Sequence, residues 1–596
     1  MDRNTLLFII LTAAVLIGWD ALVIAPQRTA LKEQQKIEQQ AADAAEPDLT
    51  GGIAAVEVAK TVTIEDALKK APRRIIIDTP SLIGSINLAG GRIDDLLLKN
   101  YHETLDDKSP MIRLLTPREA EHGHYVEQGF VASGGGETKL TEALTWTAPA
   151  GARLTPQSPV TLTARLGDLV FEKTYAIDDV FMFEVKQRVR NDGAAEAKVT
   201  PYGLVVQRGI PPGAGKYQIL QEGPLAVVGD SLYERKYKKA VKIEDNAEGE
   251  KGWIGITNKY WLAAAAPPQS EHFAVNMKNV GTQTEPIFRV NYTLAERAVA
   301  PGQTVEVSSH VFGGAKDVDI LRSYEAPPEK GGLGIWDLDK AVDWGNLFFL
   351  TRPIFFLLDF FGDHIGNFGV AILLLTLVVK ALMFPLANKA FESMSAMKKV
   401  QPKMEELKTK YGDDKMKLQQ EMMELYKREK INPLAGCLPM IVQIPIFYAL
   451  YKTLFVTIEM RHEPFIGWIK DLSAPDPTNI LNLFGLLPFD PSAIPLISFI
   501  PAIGILPLLY GVTMWFQTNL NPPAADPTQQ QIMTMLPFVF VFLFASFPSG
   551  LVLYWIWSAT LSIAQQWYIM KRNGVDVDIA ARIPFLRRKK PPPDKK

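Results

Sequence analysis

A chain of 596 residues with 63 Lys and Arg against 65 Asp and Glu carries a formal net charge of -2, which gives no electrostatic reason to expect a nucleic-acid partner. Its one cysteine, Cys437, excludes an intrachain disulfide, and its apolar setting marks a buried, inert thiol. The averages, 47% hydrophobic and 21% charged, resemble a globular protein, but the long apolar runs are confined to the two ends.

Residues 6–25 form an apolar stretch behind Arg3, long enough to span a bilayer. A cleaved signal is the other reading. Trp19 and Asp20 interrupt the region where small residues are needed, and Pro26 follows Ala25, so residues 1–26 are expected to be a retained transmembrane anchor. Residues 27–72 are rich in Ala, Gln, Glu and Asp and are expected to be a flexible linker.

From 73 to 316 the pattern is that of strands separated by Gly, Asn, Asp and Pro turns: Ile75, Ile77, Leu82, Ile86, Leu88 and Ile93, then 160–170, 175–189 and 287–294. A large antiparallel all-β sandwich follows. Within it, His122-Gly123-His124 lacks a third metal ligand at a suggestive spacing and reads as surface histidines. Gly213-Ala214-Gly215-Lys216 fails as a phosphate loop, with Ile210 where the first glycine belongs and Tyr217 where Ser or Thr must stand. The acidic pairs Asp106-Asp107 and Asp413-Asp414 fit turn and helix-start positions, and no nucleophile elbow occurs. No catalytic residue, metal or cofactor is therefore assigned.

Residues 317–365 are expected to be a linker and an interfacial amphipathic helix. Over 337–361 they combine Trp344, Phe348, Phe349, Phe355 and Phe356 with Asp339, Lys340, Asp343 and Arg352, split at Pro353. A second span occupies 366–386. The charged segment 387–431 predicts a helical hairpin, with Pro402 breaking its first arm and Tyr411-Gly412-Asp413 turning between the arms. Residues 432–570 hold spans three to six: 434–458, 494–516, and a run over 532–570 that folds back at Phe547-Pro548-Ser549-Gly550. A basic tail, 571–596, ends the chain. The hairpin is lysine-rich, whereas 459–491 carries only Arg461 and Lys470, so the hairpin is expected in the cytoplasm. Six spans then put both termini in the cytoplasm and the sandwich outside.

Lys380 is the only charge in the apolar run 369–386. An ion there costs about 2.5–3.5 kcal/mol even on the lenient insertion scale. Position leaves two readings open: a lysine about 9 Å of helix from the cytoplasmic end can snorkel out, or it can serve a wet concavity. Thr376 shares its helix face, and Gln443, Gln517, Thr534, Ser558, Ser562, Gln565 and Gln566 are polar groups in or beside the other spans. Most of the Ser and Gln residues read more simply as interhelical glue. On the hairpin, Met394, Met397, Met404 and Leu407 on one arm and Met416, Met422, Met423 and Leu425 on the other have the spacing of a helix–helix seam. Methionine also suits a surface that meets varied apolar segments, and Lys398 and Lys399 add attraction for ribosomal RNA or anionic headgroups.

Asn432-Pro433-Leu434-Ala435-Gly436-Cys437-Leu438-Pro439, Gln443-Ile444-Pro445-Ile446-Phe447, Trp468-Ile469-Lys470-Asp471-Leu472-Ser473, Phe547-Pro548-Ser549-Gly550-Leu551 and Gly252-Trp253-Ile254-Gly255-Ile256-Thr257 together resemble the YidC family of bacterial membrane protein insertases. The resemblance runs over nearly the whole chain. It implies a multi-pass α-helical membrane protein with a five-helix insertase core, an extra first span and a periplasmic β-supersandwich. Also implied is a hydrophilic groove with one cation, which by motif position is Lys380, where many members carry arginine. Thr376 matches a substrate-contacting position, and Trp555 stands where some members have tyrosine, with Gln443 and Gln517 assigned to the same groove. Ile444, Phe447, Phe540 and Leu543 fall on the third and fifth spans, along which substrate helices slide. The implied partners are nascent inner-membrane proteins, the bilayer, the ribosome through the hairpin and basic tail, and the Sec translocon.

Overall fold

The computed structural model describes residues 61–71, 73–134, 137–214, 220–412, 414–429, 438–487, 491, 502–521 and 527–575. The expected anchor at 6–25, most of the linker, residues 215–217 of the glycine motif, Cys437 with residues 432–436, the start of the span 494–516 and the tail beyond 575 lie outside them. One compact unit ends at Asp343 and a second begins at Trp344.

The first unit is built of a twelve-stranded and an eight-stranded sheet. In the larger, Ala197–Arg208 runs antiparallel between His124–Gly134 and Ile287–Leu294. In the smaller, Thr304–Ala315 lies between Trp261–Ala266 and Met182–Asn191. Period-two sequence produces this layering: in Met182–Asn191, Val185, Gln187 and Val189 are buried while Lys186, Arg188 and Arg190 are exposed. Gly252–Thr257 is buried along its whole length and packs on Ala197–Arg208. Gly203 leaves room for the ring of Tyr292, its cross-strand partner in the same sheet, because a Cβ there would sit 2.4 Å from that ring. The sheet is not purely antiparallel: Arg74–Asp78 pairs parallel with the two-residue strand Arg153–Leu154.

Among the described residues, three short α-helices decorate this unit: α1 (Ile64–Lys70), α2 (Tyr237–Ala240) and α3 (Val318–Glu325). The stretch after 316, read above as linker, instead packs on the sandwich through α3. Val318, Leu321 and Tyr324 are buried, and the Tyr324 ring meets Phe312 edge-on at 6.2 Å.

His124 corrects the reading of its pair as surface histidines. It opens the strand His124–Gly134 with 4% of its surface exposed, and its Nδ1 bonds the Val206 carbonyl at 2.8 Å. Burial lowers its pKa from 6.5 to about 4, so the folded state refuses a proton that the unfolded chain accepts. Its contribution to stability is therefore present above about pH 6.5 and lost progressively as pH falls toward 4. From pH 7 to 5 the loss should be about 2 kcal/mol. Hydrogen exchange of the strand His124–Gly134 should accelerate accordingly, and the His124→Gln variant should show a flatter pH dependence; equal slopes in the two proteins would count against it.

The second unit is helical: α4 (Phe348–Ile365), α5 (Phe368–Lys399), α6 (Gln401–Tyr411), α7 (Lys415–Arg428), α8 (Leu438–Val456), α9 (Ile505–Leu520), α10 (Pro527–Phe544) and α11 (Ser549–Arg572). Among the described residues one helix, α5, is long and apolar enough to cross a membrane. Helix α4 starts at 348, eleven residues after the expected start at 337, and runs unbroken through Pro353. The proline removes one hydrogen bond without dividing the helix because packing holds both sides: Thr351, Ile354, Phe355 and Leu358 are buried against the bundle. Phe348, Phe349 and Phe360 point away. Helix α5 continues through the expected boundary at 386 to Lys399, and the chain bends at Val400 with Pro402 in the first turn of α6. Asp414 caps α7, accepting the Lys417 amide at 3.0 Å.

One end of this bundle is tied by a strap formed by residues 457–479. The Asn367 amide bonds the Phe465 carbonyl at 3.1 Å, the Ser549 amide bonds Ala474 O at 2.7 Å, and the Gly550 amide bonds Leu472 O at 2.9 Å. Asp476 accepts the Leu506 amide at 2.7 Å and Thr478 the Ile505 amide at 2.9 Å, so two side chains far back in sequence cap α9. The starts of α5, α9 and α11 and the end of α8 thus meet at this end, opposite the hairpin of α6 and α7.

Candidate functional site

Lys380 lies just past the middle of the apolar part of α5, and its Nζ donates to Ser562 Oγ on α11 at 2.8 Å. The Ser562 hydroxyl spends its own proton on the Ser558 carbonyl at 2.9 Å, which leaves oxygen lone pairs for the lysine. An ammonium has three donors, and this bond uses one. Lys380 makes no ion pair among the described residues. A half-buried cation with spare donors and no counter-ion is stable only where water or an anion can reach it.

Around it, α5 and α11 are held in register by Trp557 Nε1, which bonds Leu373 O at 3.2 Å, and by Gln565 Nε2, which bonds Asn388 Oδ1 at 2.8 Å. Fully buried Gln566 reaches Asn521 beyond α9 at 3.1 Å, while its carbonyl oxygen has no partner among the described residues. Gln443 Nε2 donates to the Tyr554 hydroxyl at 3.1 Å, linking α8 to α11. Polar groups therefore run along α11 from Tyr554 through Ser558 and Ser562 to Gln566. Thr376 is buried, and its hydroxyl bonds Ile372 O at 2.6 Å within its own helix. Gln517 is partly exposed near the end of α9.

Trp555 stands elsewhere. Only 8% exposed, it stacks on Phe544 at 3.9 Å and on Phe447 at 5.2 Å, with Tyr510 and Phe547 closing the cluster. Two of the four slide candidates, Phe447 and Phe540, belong to the rim of this aromatic core, whereas Ile444 is 60% and Leu543 50% exposed. Beside Leu543, Phe538, Val539 and Phe542 make the outer face of α10 continuously apolar. In the hairpin, Met404 and Met422 are buried with Val400 and Leu425, and Met397 packs against them. Met394 is partly buried, Lys399 is exposed, and Lys398 Nζ bonds the carbonyl of Leu520 at 3.3 Å. Met416 and Met423 are the exposed methionines of the second arm.

Sequence reasoning placed Ser562 among interhelical glue and did not pair it with Lys380. The seven-residue interval from Trp555 to Ser562, two helical turns, was the available signal that both lie on one side of α11.

Two family models divide the chain: that of the YidC periplasmic domain matches residues 74–357, and that of the 60Kd inner membrane protein matches 360–575. A membrane protein insertase YidC from Rhizobium johnstonii is 47% identical, the alignment covering 100% of this chain and 99% of that one. The chain belongs to the YidC family. The Brucella suis YidC insertase is 44% identical over 99% of this chain and 98% of its own. A crystal structure of an active YidC insertase with its first transmembrane domain resolved is 19% identical, covers 84% of this chain and 93% of its own, and superposes with a TM-score of 0.35. The sandwich is thus the periplasmic domain of a YidC protein and the helical unit its inner-membrane part.

The packing of Trp555 separates two kinds of damage at this site. Trp555→Ala should destabilise the bundle by about 3–5 kcal/mol through the cavity it leaves, whereas Trp555→Phe should cost far less. Thermal unfolding in detergent measures both, and an alanine variant as stable as wild type would show that the aromatic cluster does not hold the helices together.

Proposed function

We propose that the chain is a membrane protein insertase that inserts and helps fold inner-membrane proteins, working through a hydrophilic groove around Lys380 and an apolar slide beside it. The observation that carries this is the lysine itself: half-buried in an apolar bundle, bonded once, to Ser562, and without an ion pair among the described residues. Relatives named as membrane protein insertases over the full length support the reading.

The chemistry is physical, with no covalent step. A hydrophilic tail of the incoming protein enters beside Lys380, where water and the free ammonium donors lower its desolvation cost and attract its acidic groups. Meanwhile the substrate's apolar segment partitions against the faces carrying Ile444 and Leu543. About 20 apolar residues at several tenths of a kcal/mol each outweigh one or two charges in transit. The membrane potential adds about 2.3 kcal/mol per charge per 100 mV for acidic tails.

The reading includes six spans with a five-helix core, both termini and the hairpin in the cytoplasm, and the sandwich in the periplasm. The hairpin, with its exposed Met416, Met423 and Lys399, would meet the ribosome together with the basic tail, and the Sec translocon would share some substrates. Lysine in place of the family's commoner arginine keeps the charge and gives up the bidentate fork, which favours attraction over fixed two-point recognition.

Reconstitution into proteoliposomes tests the groove. Lys380→Glu should reduce insertion of substrates with acidic tails by about tenfold or more, Lys380→Arg should preserve it, and neutral-tailed substrates should change little. Equal insertion of acidic-tailed substrates by wild type and Lys380→Glu would remove the electrostatic part of the mechanism.

A further inference from the structure

At the strapped end of the helical unit, large apolar side chains are offered to the surroundings by two turns. The first is Glu463–Lys470, in which residues 464–469, Pro-Phe-Ile-Gly-Trp-Ile, carry no charge. The chain reverses there: the Phe465 amide bonds the Ile469 carbonyl at 3.0 Å, and Gly467 supplies the left-handed conformation at φ +68. At the tip Ile466 is 64% exposed and Trp468 41%, while Ile469 turns back into the core.

The height of this tip is set by the helix beside it. The Phe465 ring occupies the space where a Cβ on Gly369 would be, and the Phe465 carbonyl accepts from Asn367, the residue that caps α5. Gly369 begins the apolar run that ends at Leu386, which at 1.5 Å per residue is about 27 Å of helix, close to the thickness of a bilayer's hydrocarbon. Ile466 and Trp468 are therefore level with the first turn of a spanning segment, at the boundary between hydrocarbon and headgroups. Tryptophan favours that depth, because its ring is apolar and its N–H finds a wet partner.

The second turn is at the same end. The Ile480 amide bonds the Ile503 carbonyl at 2.9 Å, placing the 3₁₀ segment Ile480–Gly485 beside the start of α9. Residues 477–489 contain no charged side chain. Leu483 and Phe484 hold φ values of +52 and +61, a conformation that L-residues adopt at a cost, and Leu486 is 83% exposed. Strain that keeps leucine and phenylalanine turned outward needs a solvent that rewards it, and water does not.

We infer that these two turns are lipid anchors: Ile466 with Trp468, and Leu483 through Leu487, insert into the leaflet at the end of the bundle opposite the hairpin. The chemical class of the partner is the acyl-chain and headgroup boundary of the bilayer. They hold the strap at fixed depth, so the helix ends it ties are held at that depth too. The inference requires that the helical unit sit in a bilayer, as its family does, and is independent of the groove mechanism.

Nitroxide labels at Ile466→Cys and Leu486→Cys, each in full-length protein carrying Cys437→Ser and reconstituted in phosphatidylethanolamine–phosphatidylglycerol vesicles, read this directly. Collision with oxygen should exceed collision with a water-soluble nickel chelate several-fold at both positions. A label at Leu382→Cys on the exposed face of α5 is the lipid reference, and one at Leu105→Cys in the β unit is the water reference. Water-type collision at either 466 or 486 overturns the inference, including the outcome in which a protein partner is what normally covers the tips. Quenching by brominated lipid needs no label: Trp468→Phe, one of 11 tryptophans, should lose a quenchable component, and unchanged quenching overturns the anchoring of the first turn.

Discussion

The bond between Lys380 and Ser562 is where the opposing demands on this bundle meet. Apolar side chains hold the helices together, and every polar group they enclose has to find a partner or keep contact with water. Serine can accept from the lysine because its own proton goes to the Ser558 carbonyl, so a helix backbone supplies the polarity that the side chains lack. The arrangement stabilises the cation's position without neutralising it. A carboxylate partner would have done both, and would have left no net charge at the site.

Packing and polarity are divided along the length of one side of α11. Trp555 and its aromatic neighbours provide close contact with α8, α9 and α10, whereas Ser558, Ser562 and Gln566 line the other requirement. This division explains why residues only a few positions apart can differ so much in role. Substitution of the tryptophan tests rigidity, and substitution of the lysine tests charge.

Much of this was legible in the residues. Period-two alternation marks the strands, prolines and glycines mark where α5 gives way to α6 and where α10 gives way to α11, and a lone lysine in an apolar run is visible by inspection. What was hidden is tertiary. Ser562 is 182 positions from Lys380, His124 is buried by a strand that follows it by about eighty residues, and α9 is capped by Asp476 and Thr478 from across a long connection. Periodicity shows which face of an element is apolar, not which neighbour will cover it, and so Pro353 read as a break although packing on both sides of it keeps the helix whole.

The prolines inside α5, α8 and α10 carry a mechanical consequence. Pro385, Pro445 and Pro537 each lack the N–H that would complete the ladder one turn back, so α5, α8 and α10 each carry an interior gap in their hydrogen bonding. Bending stiffness is therefore unequal among the helices. The start of α11 is clamped where the strap accepts the amides of Ser549 and Gly550, and α11 carries no proline inside it. A bundle of this kind is fixed at one end and through one member, and bends through the others.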